Sequence, residues 1–174
     1  MQYSNIELNT QQSREKVLTQ AHIDFFYQFC GFLAELNRLE TEAHDRHKAS
    51  QNQKTANGLP THQTNDEDKA IWRDFAEQKT ALVRQWASAS LFQQQLQKGI
   101  AQSFGWPARY HYIDLPCRAE LIVKSAKKMT VEFYYTGTPA KKNRFGFRLE
   151  ENGWRLDEVK YGYQTETGWF NVTL

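Results

Sequence analysis

The hydrophobic positions of the chain follow two different periods, and these divide it into a helical first part and a strand-rich second part. From about Thr10 to His47, apolar side chains recur at alternating steps of four and three residues, as on one face of an α-helix. This stripe consists of Leu18, His22, Phe25, Phe29, Phe32, Leu36, Leu39 and Ala43, widened by Phe26 and Leu33. The pattern predicts a long first helix that begins after a cap at Thr10 or Ser13 and packs on a sheet or a bundle. A heptad dimer is the alternative, although the stripe is too wide and aromatic for a plain coiled-coil seam.

A polar stretch from Ala49 to Lys69 separates this helix from the next apolar pattern. It contains Asn57-Gly58 and Pro60, which are typical of turns, so we expect a long loop at about 49–68. Asn65 or Asp66 then caps a second helix. Its first turn is acidic, as the helix dipole favours. Its apolar face is made of Ile71, Phe75, Leu82 and Trp86.

A third helix is predicted after a cap at Ser88 or Ser90. Its apolar stripe consists of Phe92, Leu96, Ile100 and Phe104. We expect the helix to end at Gly105, Trp106 and Pro107.

After Pro107 the hydrophobic period changes to two, which predicts strands with one apolar and one polar face. The apolar positions are Cys117, Ala119, Leu121 and Val123; Met129, Val131, Phe133 and Tyr135; and Phe145, Phe147 and Leu149. Tyr110 to Leu115 is a candidate further strand, and Trp169 to Leu174 is predicted to close the sheet. Residues 1–174 are therefore expected to form a single α+β domain. In it, three N-terminal helices pack on one face of an antiparallel sheet of four to six strands.

Two alternating runs meet at Asn152-Gly153, a pair that favours a two-residue hairpin turn with positive φ at both positions. Trp154 and Leu156 continue the apolar face, but the next apolar residues, Val159, Tyr161 and Tyr163, are one position out of phase. A β-bulge at Asp157-Glu158 restores the inward direction of the side chains and bends the strand. We therefore expect a strongly bent sheet that curls around the helix covering it.

The hairpin motif FxFRLEENGWRLDEVKYGY, from Phe145 to Tyr163, and the helix-then-strand order resemble the NTF2-like (cystatin-like cone) fold. More narrowly, they resemble the bacterial NTF2-fold immunity proteins of polymorphic toxin systems. In those proteins a glycine turn is followed by Trp-basic-hydrophobic-Asp-acidic-hydrophobic, which Gly153 to Val159 match. The resemblance implies an immunity protein that binds a cognate secreted toxin, from a contact-dependent or type VI-like system, and neutralises it by occlusion without a cofactor.

Composition and charge narrow the functional classes. The chain has 22 basic and 20 acidic residues among 174, and this even distribution predicts neither a nucleic-acid nor a membrane partner. Cys30 and Cys117 have no metal-binding or redox spacing, so we expect them to be reduced and buried. The first residues lack the pattern of a signal peptide, and no apolar stretch approaches the roughly 18 residues of a membrane helix. These features favour a cytoplasmic location.

The polar face of the predicted sheet is the candidate surface for a toxin. Mixed charge around an aromatic side chain suits a protein-binding surface, and an ordinary solvated face is the alternative. The candidate contact residues are Arg118, Glu120, Glu132, Tyr134, Arg148 and Glu150. The same open face offers a third hypothesis, a structural or homodimerisation module.

The second functional hypothesis is an NTF2-like small-ligand-binding protein or an isomerase- or cyclase-type enzyme that uses the interior of the cone. Its candidate acid–base set is Tyr110, His111, Tyr112 and Asp114. Glu40, His44 and His47 have a spacing that could bind a metal, but a solvated helix end is the favoured interpretation, and we expect no metal or cofactor. Two basic clusters, at 124–128 and 141–144, are assigned to hairpin turns rather than to nucleic-acid binding.

Overall fold

The first helix lies on one face of a six-stranded sheet in the computed structural model, which describes residues 3–101 and 103–174. The helices are α1 (Gln20–Ala56), α2 (Asp66–Trp86), α3 (Ala89–Gln97) and a short 3-10 helix (His111–Asp114). The strands are β1 (Ile6–Asn9), β2 (Cys117–Ser125), β3 (Lys128–Tyr135), β4 (Lys141–Glu150), β5 (Gly153–Tyr163) and β6 (Phe170–Asn171). The predicted α+β class with three α-helices is confirmed.

The strands lie in the sheet in the same order as in the chain. β2 to β6 form the predicted antiparallel meander, and β1 adds a parallel strand beside β2, so the sheet is mixed. Alternate side chains of the meander face the helices and are buried, including Ala119, Leu121, Val131, Phe133 and Phe145. We call this side the inner face and the opposite side the outer face.

Aromatic rings from α1 and the sheet fill the space between them. Phe29 of α1 meets Phe145 and Phe147 of β4 edge-on, with ring centroids 4.8 Å apart in both pairs. Trp86, at the end of α2, stacks on Phe32 at 4.9 Å. Burying each such ring contributes about 1.5–3 kcal/mol to folding. This packing accounts for the wide aromatic stripe of α1.

The start of α1 was predicted too early. Ser13, proposed as a cap, instead bonds to the edge of β2: its hydroxyl donates to Leu121 O at 2.8 Å and accepts from Val123 N at 2.9 Å. The preceding strand β1 was missed because four residues are too short to show an alternating pattern. The helix begins at Gln20, after Thr19.

The expected loop at 49–68 is also shorter than predicted, because α1 continues to Ala56. Lys54 explains the extension. Its ammonium donates to the Asp68 carboxylate and to Gln63 O at 2.7 Å, and both Lys54 and Asp68 are buried. A tertiary ion pair thus holds polar residues in the helix, although their sequence is typical of a loop.

Two cap residues were predicted for each of α2 and α3, and the first of the two is the cap in both helices. Asn65 Oδ1 accepts from Asp68 N at 2.8 Å, and Ser88 Oγ accepts from Leu91 N at 3.2 Å. However, α3 ends at Gln97, just before Gly99, which has a φ of 78°. The predicted end at 105–107 was wrong, and Phe104 lies outside the helix, stacked on Trp72 at 4.5 Å.

The hairpin and its bulge were predicted almost correctly. Glu150 pairs with Gly153, so the turn residues are Glu151 and Asn152, and only Gly153 has a positive φ, 102°. Sequence reasoning placed this turn one residue too late. The bulge is confirmed, because the pairing passes from Glu158 to Leu156 on β5 across consecutive residues of β4 and leaves Asp157 unpaired.

The two further strand predictions had opposite outcomes. The segment 110–115 is not a strand, because His111–Asp114 forms a 3-10 helix that buries Tyr112 and Ile113. The closing strand is confirmed as β6, which pairs with β5.

Both cysteines are buried and free, and burial raises the pKa of the Cys117 thiol to about 11. None of the helices in 3–101 and 103–174 combines the length and apolarity that crossing a bilayer requires.

Candidate protein-binding surface

Two buried carboxylates occupy the centre of the outer face. Glu120 and Glu132 lie directly opposite each other on β2 and β3 and are only 5% and 4% exposed. Arg118 Nη1 lies 2.9 Å from Glu120 Oε1, and Gln12 donates to the other oxygen of Glu120. Arg144 reaches Glu132 Oε1 with Nη2 at 2.6 Å and with Nε at 2.8 Å. Each carboxylate therefore has its own arginine, which offsets the repulsion between them.

Each arginine also stacks on an aromatic ring. The guanidinium of Arg118 lies 4.2 Å from the centre of the Tyr134 ring, and that of Arg144 lies 4.1 Å from the Trp169 ring. The Tyr134 hydroxyl donates to Glu132, which joins the two halves of the network. Burial, together with this bond to a carboxylate, raises the pKa of Tyr134. The stacking and the hydrogen bonds restrict the conformations of the two arginines.

Trp169 reaches the outer face because the chain folds back after β5. Lys142 is 7% exposed, and its ammonium donates to the backbone carbonyl of Glu166 and lies 4.5 Å from the Trp169 ring centre. Gly162 makes room for this return, since a Cβ there would lie 2.7 Å from Gly168 O and 2.9 Å from Lys142 Cε. The segment 164–169 therefore contacts Lys142 of β4 through Glu166 O and the Trp169 ring, and it approaches β5 where Gly168 O lies beside Gly162.

The six residues proposed from the sequence divide into two groups. Arg118, Glu120, Glu132 and Tyr134 belong to the central network. Arg148 and Glu150 form a separate group at the end of the hairpin, where Arg148 Nη2 lies 3.2 Å from Glu150 and 3.3 Å from Asp157. The structure thus brings together four of the six.

Sequence reasoning missed Gln12, Lys142, Arg144 and Trp169 as members of this surface. Lys142 and Arg144 carried a usable signal, because they alternate with the inward-facing Phe145 and therefore share the outer face. They were instead assigned to a turn. Gln12 was placed in a helix, and Trp169 depends on a chain reversal that the hydrophobic pattern does not encode.

A second concave site lies at one end of the inner face. This cleft, which we call the aromatic cleft, has a volume of about 520 Å³ and is lined in part by Phe104, Tyr110, Tyr135, Tyr161, Tyr163 and Asn143. The Tyr110 hydroxyl is buried and has no hydrogen-bond partner among the described residues. Burial raises the pKa of Tyr110, and it raises that of Tyr135 to about 12.

The acid–base set proposed from the sequence is not assembled. Tyr110 and Tyr112 are buried, whereas Asp114 is exposed to solvent. His111 Nδ1 bonds locally to Ala108 O at 2.8 Å. These four side chains therefore do not converge on one reacting position.

The histidines of the metal alternative contact aromatic rings. His44 stacks on Trp106 at 4.1 Å, and His47 meets Phe104 at 5.9 Å. Glu40 is buried elsewhere, accepting from Arg109 N at 2.7 Å and lying 3.6 Å from Lys79 Nζ. Within 3–101 and 103–174, no group of three or more His, Cys, Asp or Glu side chains could hold a metal ion.

No protein-family model, curated protein or solved structure matches this chain.

Proposed function

We propose that the protein is an immunity protein that binds a secreted bacterial toxin through the outer face of its sheet and blocks it by occlusion. In this proposal the fold is of the NTF2-like type, and the protein acts in the cytoplasm of the cell it protects. The hairpin from Phe145 to Tyr163 supports the family, because its glycine turn, its tryptophan and its bulged acidic pair match the motif.

The observation that carries the binding proposal is the network around Glu120 and Glu132. Protein interfaces are enriched in Arg, Tyr and Trp, and binding energy is concentrated in side chains that are already held in position. Arg118 on Tyr134 and Arg144 on Trp169 have this composition and this restraint. An ordinary solvated face would not require two carboxylates buried to about 5% exposure.

The aromatic cleft is the observation that favours a second function, the binding of a small ligand. It is concave, five Phe and Tyr side chains contribute to its lining, and its volume is suitable for such a ligand. The packing of Phe26, Phe29, Phe133 and Phe145 weighs against an enzyme that needs a deep, open cone, because their rings occupy the space under α1. Saturable binding of a small molecule to the cleft, abolished by Tyr161→Ala, would favour this second function.

The direct test is co-expression with the product of a toxin gene adjacent to the gene for this protein. We expect rescue of growth and a complex that survives size-exclusion chromatography. Arg118→Ala should weaken the complex, because it removes a stacked cation from the surface. Arg73→Ala is the matched control, since Arg73 lies on α2 and its side chain is 65% exposed.

The outcomes distinguish an error in the proposed function from an error in the proposed binding surface. If the toxin kills regardless and no complex forms, the immunity function is wrong. If a complex forms but Arg118→Ala binds as tightly as the unmodified protein, the outer face has been wrongly assigned and the function stands. Light scattering of the free protein addresses the homodimer alternative, because a self-associating outer face would give a dimer that Arg118→Ala disrupts.

A further inference from the structure

A depression of about 540 Å³ lies on the outer face at the central network, and Glu132, Tyr134 and Arg144 are among the residues that line it. Ile122 and Thr130 also line it, together with three lysines: Lys124, Lys128 and Lys142. Gln12, from the N-terminal segment of the chain, and Trp169, from the C-terminal segment, also line the depression. We call this depression the lysine trough.

The carboxylates of strands β2 to β5 are all matched by cations. Arg118 pairs with Glu120, Arg144 with Glu132, Arg148 with both Glu150 and Asp157, and Lys160 with Glu158. The lysines of the trough are different. Among the described residues, no carboxylate forms an ion pair with Lys124, Lys128 or Lys142. The trough therefore has an excess of positive charge.

Lys142 is the most restrained of the three lysines. It is 7% exposed, it donates to a backbone carbonyl, and it lies against the Trp169 ring, yet it has no carboxylate partner in the described chain. Removing a cation from water without a counter-charge is costly. A carboxylate placed in the trough would offset that cost and would also lie near Lys124 and Lys128, which are exposed and line the trough.

We propose that the lysine trough binds an acidic segment of the partner protein, with carboxylate side chains directed at Lys124, Lys128 and Lys142. This inference rests on the proposed toxin-binding function and specifies the chemistry of the toxin surface. It predicts association that weakens with salt, because two of the three lysines are exposed.

A protein segment fits the charges better than a nucleic acid does. Glu132 lines the trough with its charge matched by Arg144, and Glu120 and Glu158 lie on the same face with their charges matched by Arg118 and Lys160, so within the described chain the unmatched positive charge of the trough is confined to the three lysines. Nucleic-acid affinity comes from many phosphate contacts, whereas the trough offers three unmatched cations. An acidic peptide can place its few carboxylates where the lysines are and leave the remainder of the face uncontacted.

The test is an NMR titration of the isotopically labelled full chain with an acetylated Asp/Glu hexapeptide, run beside a Lys/Arg hexapeptide and an oligothymidylate. We expect saturable shifts only with the acidic peptide, confined to the amides around Lys124, Lys128 and Lys142 and to the Trp169 indole. Lys124→Gln/Lys128→Gln should weaken binding about tenfold, as expected for the loss of two exposed charges. Lys48→Gln/Lys98→Gln removes the same charge from two exposed positions, one on α1 and one directly after α3, and should leave binding unchanged.

The inference is overturned if the acidic peptide gives no saturable shifts, if the shifts lie elsewhere, or if both double variants weaken binding equally. If the oligothymidylate binds the trough more tightly than the acidic peptide does, the trough is a nucleic-acid site and the inference is wrong. Failure of the inference and failure of the immunity function are distinguishable in the toxin complex. A complex that forms normally with Lys124→Gln/Lys128→Gln contradicts the inference alone, whereas a toxin that never binds contradicts the function.

Discussion

Glu120 and Glu132 face each other across β2 and β3, and both carboxylates are almost completely withdrawn from water. Like charges directly opposite each other on neighbouring strands are destabilising. The pair persists because Arg118 and Arg144 approach from opposite sides, one to each carboxylate. The stability of the sheet and the shape of the proposed binding surface therefore depend on the same ion pairs.

Replacing Arg144 with Met should lower the free energy of unfolding by about 2–4 kcal/mol, because Glu132 would remain buried beside Glu120 without its cation. Urea denaturation measures the change. Arg73→Met, at an exposed position on α2, should change the stability by less than about 0.5 kcal/mol. The double variant Glu132→Gln/Arg144→Met should recover most of the loss. If it is as unstable as the single variant, an unpaired buried charge is not the cause.

The alternating pattern of the strands was sufficient to place Arg118, Glu120, Glu132 and Tyr134 on one face, because a period of two fixes the direction of each side chain. It could not show that Glu120 and Glu132 are buried. Their burial depends on contacts from Arg144, opposite Glu132 on the neighbouring strand β4, and from Gln12, which lies 108 residues before Glu120 in the chain. Propensity and period describe local structure, whereas this site is made of long-range contacts.

The errors in the helices have the same origin. Ser13 carries a typical capping side chain, but β2 offers it two backbone hydrogen bonds, and the helix starts later. The polar sequence before Ala56 is typical of a loop, but the ion pair between Lys54 and Asp68 stabilises these residues in α1. In contrast, the bulge at Asp157 was visible from the sequence, because a change of phase in an alternating strand is a local signal.

Ser88 links the bulge to the start of α3, and its replacement with Ala should destabilise the protein by about 1–2 kcal/mol. Its hydroxyl oxygen accepts from Leu91 N at 3.2 Å, and the hydroxyl donates to Asp157 Oδ1 at 2.7 Å. Ser90→Ala, at the exposed alternative position, is the control and should be nearly neutral. A Ser88→Ala/Asp157→Ala cycle measures the coupling of the two sites. Strictly additive losses would contradict a direct link between the cap and the bulge.

Gly162 should not tolerate a methyl group, whereas Gly168 should. A Cβ at Gly162 would lie 2.7 Å from Gly168 O, while a Cβ at Gly168 would meet nothing within 4 Å. We expect Gly162→Ala to displace the segment 164–169 and to cost about 1–3 kcal/mol. In NMR spectra the Trp169 indole signal should shift in Gly162→Ala and stay in place in Gly168→Ala. Equal stability and equal indole shifts in the two variants would show that this segment does not pack on the outer face.

Asp68 should make the stability of the protein depend on pH on the acid side. Burial alone would raise the pKa of Asp68, but hydrogen bonds from Lys54, Asn65 and Ser50 outweigh it and lower the pKa from about 3.8 to about 2. Because the folded-state pKa is the lower one, the contribution of Asp68 is fully present above its ordinary pKa. The contribution is lost as the pH falls through the folded-state value.

We therefore expect Asp68→Asn to be less stable than the unmodified protein at neutral pH, with a difference that narrows as the pH falls from about 5 towards about 2. Urea unfolding at successive pH values measures this difference. Asp66→Asn is the matched control, because the Asp66 side chain is 99% exposed and its ion pair is with Lys69, whose side chain is 68% exposed. Its stability difference should be small at every pH. If the deficit of Asp68→Asn stays constant down to the acid limit, the ion pair with Lys54 does not hold the carboxylate in its charged form.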